Sequence, residues 1–141
     1  ATSFSAQMPD STEKGMKVAT LNQLFLEMPV FRGYIKIALS RKDDAVFMIN
    51  LSLPPVRKGD SIEILLPLDL ARSQVEQHFT EQQKKFKIRS TRGPLFYAES
   101  EPHEPVWIFN VMVTSPKLDA IEIAVGARSK SIRYESSTMV H

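Results

Sequence analysis

The sequence predicts an all-β chain, an antiparallel sandwich of about eight short strands with one or two short helices. Three observations carry this expectation. Extended segments of alternating or continuous apolar character recur, roughly seven or eight of them, with turn signals about every 8–15 residues. Proline, glycine and charged clusters separate them, as at Pro54-Pro55, Gly93-Pro94 and Ser115-Pro116-Lys117. A single helical stretch intervenes between the fourth and fifth strands, and the cysteine pair of immunoglobulin domains is absent. Among antiparallel folds, that combination favours an eight-stranded jelly roll.

The elements follow in order. Ala1 to Gly15 is small and polar and reads as a flexible arm. In Lys17 to Met28, Leu21, Leu24 and Phe25 have helical spacing, so a short helix is expected there, stopped by Pro29. Phe31 to Pro55 is the stretch around which the rest is organised. Phe31, Gly33, Ile35, Ile37 and Leu39 share one face of a strand, and Ser40 to Asp44 form a charged turn. Val46 to Leu53 is an almost unbroken apolar run, which predicts a strand covered on both faces, and Pro54-Pro55 ends it. Val56 to Asp60 is a turn, Ser61 to Leu66 a strand, and Pro67 its close. Asp69 is placed to cap a short helix through Leu70, Ala71, Val75 and Phe79. Lys84 to Ser90 alternates Phe86 and Ile88 with cations, and Gly93-Pro94 turns the chain into a strand from Leu95 to Glu99. The prolines and acids of Glu101 to Pro105 suit a wet loop. Val106 to Thr114 is strongly strand-like, with Trp107, Phe109, Val111 and Val113 on one side and Ile108 and Met112 on the other. Ala120 to Ala127 aligns Ile121, Ile123 and Val125, and Ser131 to His141 is polar. The expected organisation is an arm over 1–15, a domain over 16–134 and a tail over 135–141.

Composition narrows the function. At 141 residues and 43% hydrophobic, the chain suits one domain with a single core. A net charge of +2 is too small to argue for nucleic-acid binding by itself. Zero cysteines remove disulfides, thiolate catalysis and zinc–thiolate sites, which fits a reducing compartment. The apolar stretches are strand-sized, so no membrane span is expected, and the opening residues lack a signal-peptide pattern. An opening without Met suits a chain cut from a longer precursor and equally a trimmed one.

Few residues suggest chemistry. Glu99, Glu101 and His103 share a strand parity that metal ligands use, but Pro102 and Pro105 interrupt the frame such a site needs, so no metal or other cofactor is expected. His78 sits beside Glu76 on a helix face, an ordinary surface position. Asp43-Asp44 lies in a turn beside Arg41 and Lys42, where screening outweighs acid–base work. There is no nucleophile elbow or phosphate-binding loop, so an enzyme is not expected. Basic residues cluster at Lys84, Lys85, Lys87, Arg89 and Arg92, and again at Arg128, Lys130 and Arg133. Such a row could follow phosphates. It equally serves as a solvated strand face that discourages edge pairing, and no aromatic base platform accompanies it.

Taken together, Leu24 to Pro55 resembles the start of a jelly-roll domain of picornavirus-like capsids. The nearest likeness is to the second jelly-roll domain of the comovirus large coat protein, in the plant-virus family Secoviridae. Arg32-Gly33 and Val46 to Leu53 stand in the places of an Arg-Gly strand and the hydrophobic strand after it. Ser61 to Leu66, Ser73 to Gln83, Gly93 to Ala98, Val106 to Val113 and a closing Ile-x-Ile-x-Val strand continue the order through Tyr134. Its loops are short beside those of such subunits. The resemblance implies a structural capsid protein that assembles with sister domains into an icosahedral shell around positive-strand RNA. It places the protein in the virion, and in host cytoplasm during assembly, with no membrane partner. Lys84, Lys85, Lys87, Arg89, Arg128, Lys130 and Arg133 are then the candidates for phosphate contact. A stand-alone β-sandwich module for carbohydrate or protein, and a viral nucleic-acid-binding or movement protein, remain as alternatives.

Overall fold

Strict alternation from Val106 to Val113 sets the core. Trp107, Phe109, Val111 and Val113 turn to one face of their strand, Val106 and Ile108 to the other. A computed structural model describes residues 2–11, 16–40, 42–43 and 45–139. It contains strands β1 (Thr2–Ser11), β2 (Met16–Phe25), β3 (Met28–Ser40), β4 (Val46–Ser52), β5 (Lys85–Tyr97), β6 (Glu104–Ser115), β7 (Asp119–Gly126) and β8 (Ile132–Ser137), and helix α1 (Leu68–Glu81).

Helix α1 covers the first face of β6. Its Ala71, Val75 and Phe79 recur every four residues and pack on Phe109, Val111, Val113, Ile121, Ile123 and Val125, with Phe86 and Ile88 of β5 beside them. The helix starts two residues earlier than expected. Pro67, extended at ψ 163°, precedes it, and its carbonyl accepts the Ala71 N–H at 3.0 Å. Asp69 therefore lies in the first turn, where its charge still favours the helix dipole, and Leu70 faces out. On the other face of β6, Val106 and Ile108 meet Phe31, Tyr97 and Ala124. A third cluster joins Phe25, Val30, Phe96 and Ala98.

The strands form one mixed sheet in the order β1-β2-β3-β5-β6-β7-β8, with β4 also on β3. All pairs of sequence neighbours are antiparallel, and one parallel bridge, Val30 with Phe96, joins β3 to β5. The all-β class holds, with one helix. The fully antiparallel jelly-roll order finds no support among the described ladders, which join neighbours where a jelly roll interleaves distant strands. Short connections such as Leu26-Glu27 explain this, because neighbouring strands close with little loop entropy.

Several elements differ from expectation. Lys17 to Met28 is strand β2 and a turn, not a helix: its buried residues are Gln23 and Phe25, two apart, the strand period. Thr2–Ser11, expected as a loose arm, pairs along β2, while residues 12–15 lie outside those described. The alternation of β3 breaks at Arg32, whose φ of 57° is left-handed, so Val30 and Phe31 enter different clusters and Ala38 rather than Ile37 is buried. Ser61 to Leu66 joins no ladder, although both Leu65 and Leu66 donate their N–H to the Ala127 carbonyl at 2.8 Å. The two strands expected from Lys84 to Glu99 are one bulged strand, β5, and part of the polar end is β8.

Truncating Phe79 to Ala, at a fully buried position between helix and sheet, is expected to cost about 3–5 kcal/mol. Urea unfolding of the Phe79→Ala variant measures it, and a cost under about 1 kcal/mol would deny α1 its place in the core.

Candidate functional site

Beyond Phe31 the chain leaves its core. The second half of β3 carries β2 and then β1 on one edge and β4 on the other. Apolar residues occupy both faces of this ribbon, yet Ala38 is the only buried side chain described between Tyr34 and Ser52. None of the three core clusters draws on those residues. Strand β4, expected to be covered on both faces, is the extreme case. Val46, Met48, Ile49, Leu51 and Leu53 are 58%, 60%, 57%, 58% and 41% exposed. Continuous apolar character reads as burial when the cover lies within the chain; here β4 is an edge strand without one. A sheet that presents apolar side chains on both faces gains full stability only when another layer meets it.

The open edges are guarded unequally. Along Lys85 to Arg92, β5 has β6 on one side and no strand on the other among the described residues, and Lys85, Lys87 and Arg89 are exposed there. Charges on an edge strand discourage a foreign strand. Strand β8 carries Arg133 and Glu135. In β4, VFMINLS, there is no charge at all.

The basic residues do not form one patch. Lys85 pairs in register with Ser115 at one end of β6, while Arg133 meets Glu104 at the other. Twelve residues of strand separate those ends by about 35 Å. Lys84 lies with its ammonium 5.9 Å from the Phe79 ring centre, and exposed Arg92 reaches Glu122 at 3.4 Å. Arg128 donates to Ser61 Oγ at 2.6 Å and stands 3.7 Å from Glu63, which makes it a clasp on the loop before α1. Lys130 is exposed on the β7–β8 turn, with its carbonyl bound by Gln74 of α1 at 2.8 Å.

Arg133 is structural. It is buried against Glu104, itself buried, and its guanidinium also donates to the carbonyls of Pro102 at 2.7 Å and Glu101 at 3.0 Å. Glu104 accepts the N–H groups of Arg128 and Ser129 at 2.9 and 2.8 Å. A Cβ at Gly126 would collide with this carboxylate and with the Ser129 hydroxyl, so the turn admits only glycine there. Burial alone would raise the pKa of Glu104. The backbone and hydroxyl of Ser129, the Arg128 N–H and the Arg133 guanidinium outweigh it, and the net shift is downward. Asp60 behaves alike: burial raises it, while the Arg57 N–H, His103 and the Arg57 charge bring it below its usual value.

The three residues of shared parity, Glu99, Glu101 and His103, are dispersed. Glu99 lies 3.9 Å from Arg32, Glu101 is paired with Arg57, and His103 Nδ1 is 2.7 Å from Asp60. No group of three possible metal ligands occurs among the described residues. His78, half-buried rather than simply exposed, reaches Glu135 at 2.7 Å, and Asp43 accepts the Ala45 N–H at 3.1 Å; Arg41 and Asp44 lie outside the described residues. An open cleft of about 330 Å³ at the β3 break is walled by Asn22, Arg32, Tyr34 and Arg92, but both arginines already face carboxylates. No described helix is long and apolar enough to cross a membrane. No protein-family model matches this chain, and no curated protein matches its sequence.

Sequence reading missed Glu104, since flanking prolines and acids disguise a buried carboxylate as part of a wet loop. Replacing it, Glu104→Gln, leaves Arg133 buried without its counter-charge and is expected to destabilise by about 3 kcal/mol in urea unfolding at pH 7. The folded state holds the Glu104 proton less tightly than the unfolded chain. Its contribution is therefore complete above the unfolded pKa, about 4.3, and is lost as pH falls through the lower folded value. The wild type is expected to lose stability below about pH 4.3 more steeply than Glu104→Gln. Equal acid slopes for the two proteins would contradict the pairing.

Proposed function

We propose that the chain is a structural subunit, a capsid domain that assembles with sister domains into an icosahedral shell enclosing positive-strand RNA, in a picornavirus-like plant virus of the Secoviridae kind. The observation that carries this reading is the uncovered ribbon: its apolar residues, above all those of β4 with its uncharged edge, have no layer against them among the described residues. Such surface is what subunits bury in one another, each contact modest and the sum over a closed shell large. The resemblance in segment order supplies the virus class. The reading rests on this surface and that order. The groups weighed above for chemistry, Glu99, Glu101, His78 and His103, face Arg32, Arg57, Glu135 and Asp60.

RNA contact falls to Lys85, Lys87 and Arg89, which lack carboxylate partners among the described residues, with Lys130 as a separate exposed cation. Arg128 and Arg133 belong to the fold.

Co-expression with sister coat proteins, followed by sedimentation and electron microscopy, tests the reading. Particles are expected, and a chain that stays at monomer size beside its sisters would remove it. In such particles, replacing Lys85, Lys87 and Arg89 by Gln is expected to lower RNA content and to reduce the salt slope of RNA binding by about 0.7 for each phosphate that is no longer neutralised. RNA content and slope equal to wild type would take these residues out of the interface.

A further inference from the structure

We infer that the open edge of β4 is completed by β4 of a second copy of this chain, antiparallel, about a two-fold axis. The inference deepens the assembly reading above and rests on it, by naming the first contact and its partner.

Three features identify the occupant. The first is charge. A strand docking beside β4 sets its side chains directly opposite Val46, Met48, Ile49 and Leu51, where an ionised group would lose its hydration without gaining a partner. Every other strand of the described chain carries at least one charged residue; β4 alone carries none. The best complement to β4 within this chain is therefore β4.

The second is closure. In a two-fold pair each copy covers the β4 edge of the other, so neither β4 edge is left unpaired. A head-to-tail use of the same edge would set β4 against a different surface and would close only where its rotation completes a ring. The other open edges, at β1, β5 and β8, each carry charged residues in their strands (Asp10 in β1), which leaves β4 as the one without any.

The third is area. A wholly buried aliphatic side chain removes on the order of 100 Å² from water. Five side chains about half exposed thus offer roughly 250–300 Å² per copy, well short of the ~800 Å² per partner of a stable complex. The pair is consequently weak when dilute and is reinforced inside a larger assembly, so the test must capture it.

The absence of cysteine makes capture direct. Single-cysteine variants at each position from Val46 to Leu53 are oxidised at high protein concentration, alone and in pairwise mixtures, with Glu76→Cys on exposed α1 as control. Residues directly opposite in an antiparallel pair have Cα atoms about 4.5–5.5 Å apart, within disulfide reach. Cross-links are expected between positions whose residue numbers add to one constant, and Leu51→Lys in the same background is expected to abolish them. Cross-linking no greater than the α1 control, or pairs with a constant difference (a parallel match), would each overturn the inference. Particles with sister coat proteins but no β4 cross-links would overturn it and leave the coat reading standing. A β4-linked dimer that never enters particles would sustain the inference and remove that reading.

Discussion

An apolar sheet face must be covered, and in this chain one helix does the covering. Phe79 of α1 sits against the β5–β6–β7 face with its ring centre 5.5 Å from that of Phe86, beside the fully buried Phe109 and Ile123. Much else is tied to that contact. The indole N–H of Trp107 binds the Leu66 carbonyl at 2.8 Å and so holds the chain where it enters the helix. The Ala127 carbonyl takes two consecutive N–H groups of the same approach, and Arg128 clasps Ser61. Connections without ladders of their own are thus fastened at the ends of the strands that α1 covers.

The second half of the fold hangs from a hinge at residues 30–33. Left-handed Arg32 lets Val30 pack with Phe25 and Phe96 while Phe31 packs with Tyr97 and Tyr134. Arg32 stacks 4.5 Å over the Tyr134 ring and stands near Glu99, which fastens the hinge to β8. Gly33 lies so close to the Gln23 side chain that a Cβ would overlap it. Gln23 itself is buried, donates to the Pro54 carbonyl at 3.2 Å and finds no partner for its Oε1 among the described residues. The base of the ribbon is therefore well anchored, and its outer strands have only each other. Assembly is the natural remedy, and the proposed coat role follows from that imbalance more than from any single side chain.

Some of this was legible in the residues. β6 and β7 read as strands, and Ala71, Val75 and Phe79 keep helical spacing, because their buried faces meet cores built from the same chain. Where burial depends on something else, pattern misleads. Leu21, Leu24 and Phe25 look helical, yet β2 is held by ladders to β1 and β3 that no local spacing encodes. The apolar run of β4 correctly signals that both faces want cover, but sequence does not say whether the cover is internal. Lys87 and Arg133 look alike in a charge count; one is exposed and the other is locked on a buried carboxylate 29 residues away. Such partnerships are set by tertiary distance, which composition does not carry.

The division between a self-sufficient half and a dependent half is measured most directly by amide hydrogen exchange followed along a protein dilution series. Amides of β6 and β7 should remain protected at every concentration, whereas those of β4 should exchange rapidly when dilute and slow as the concentration rises. If β4 in the dilute chain were as protected as β6, the ribbon would need no partner and the division would be wrong.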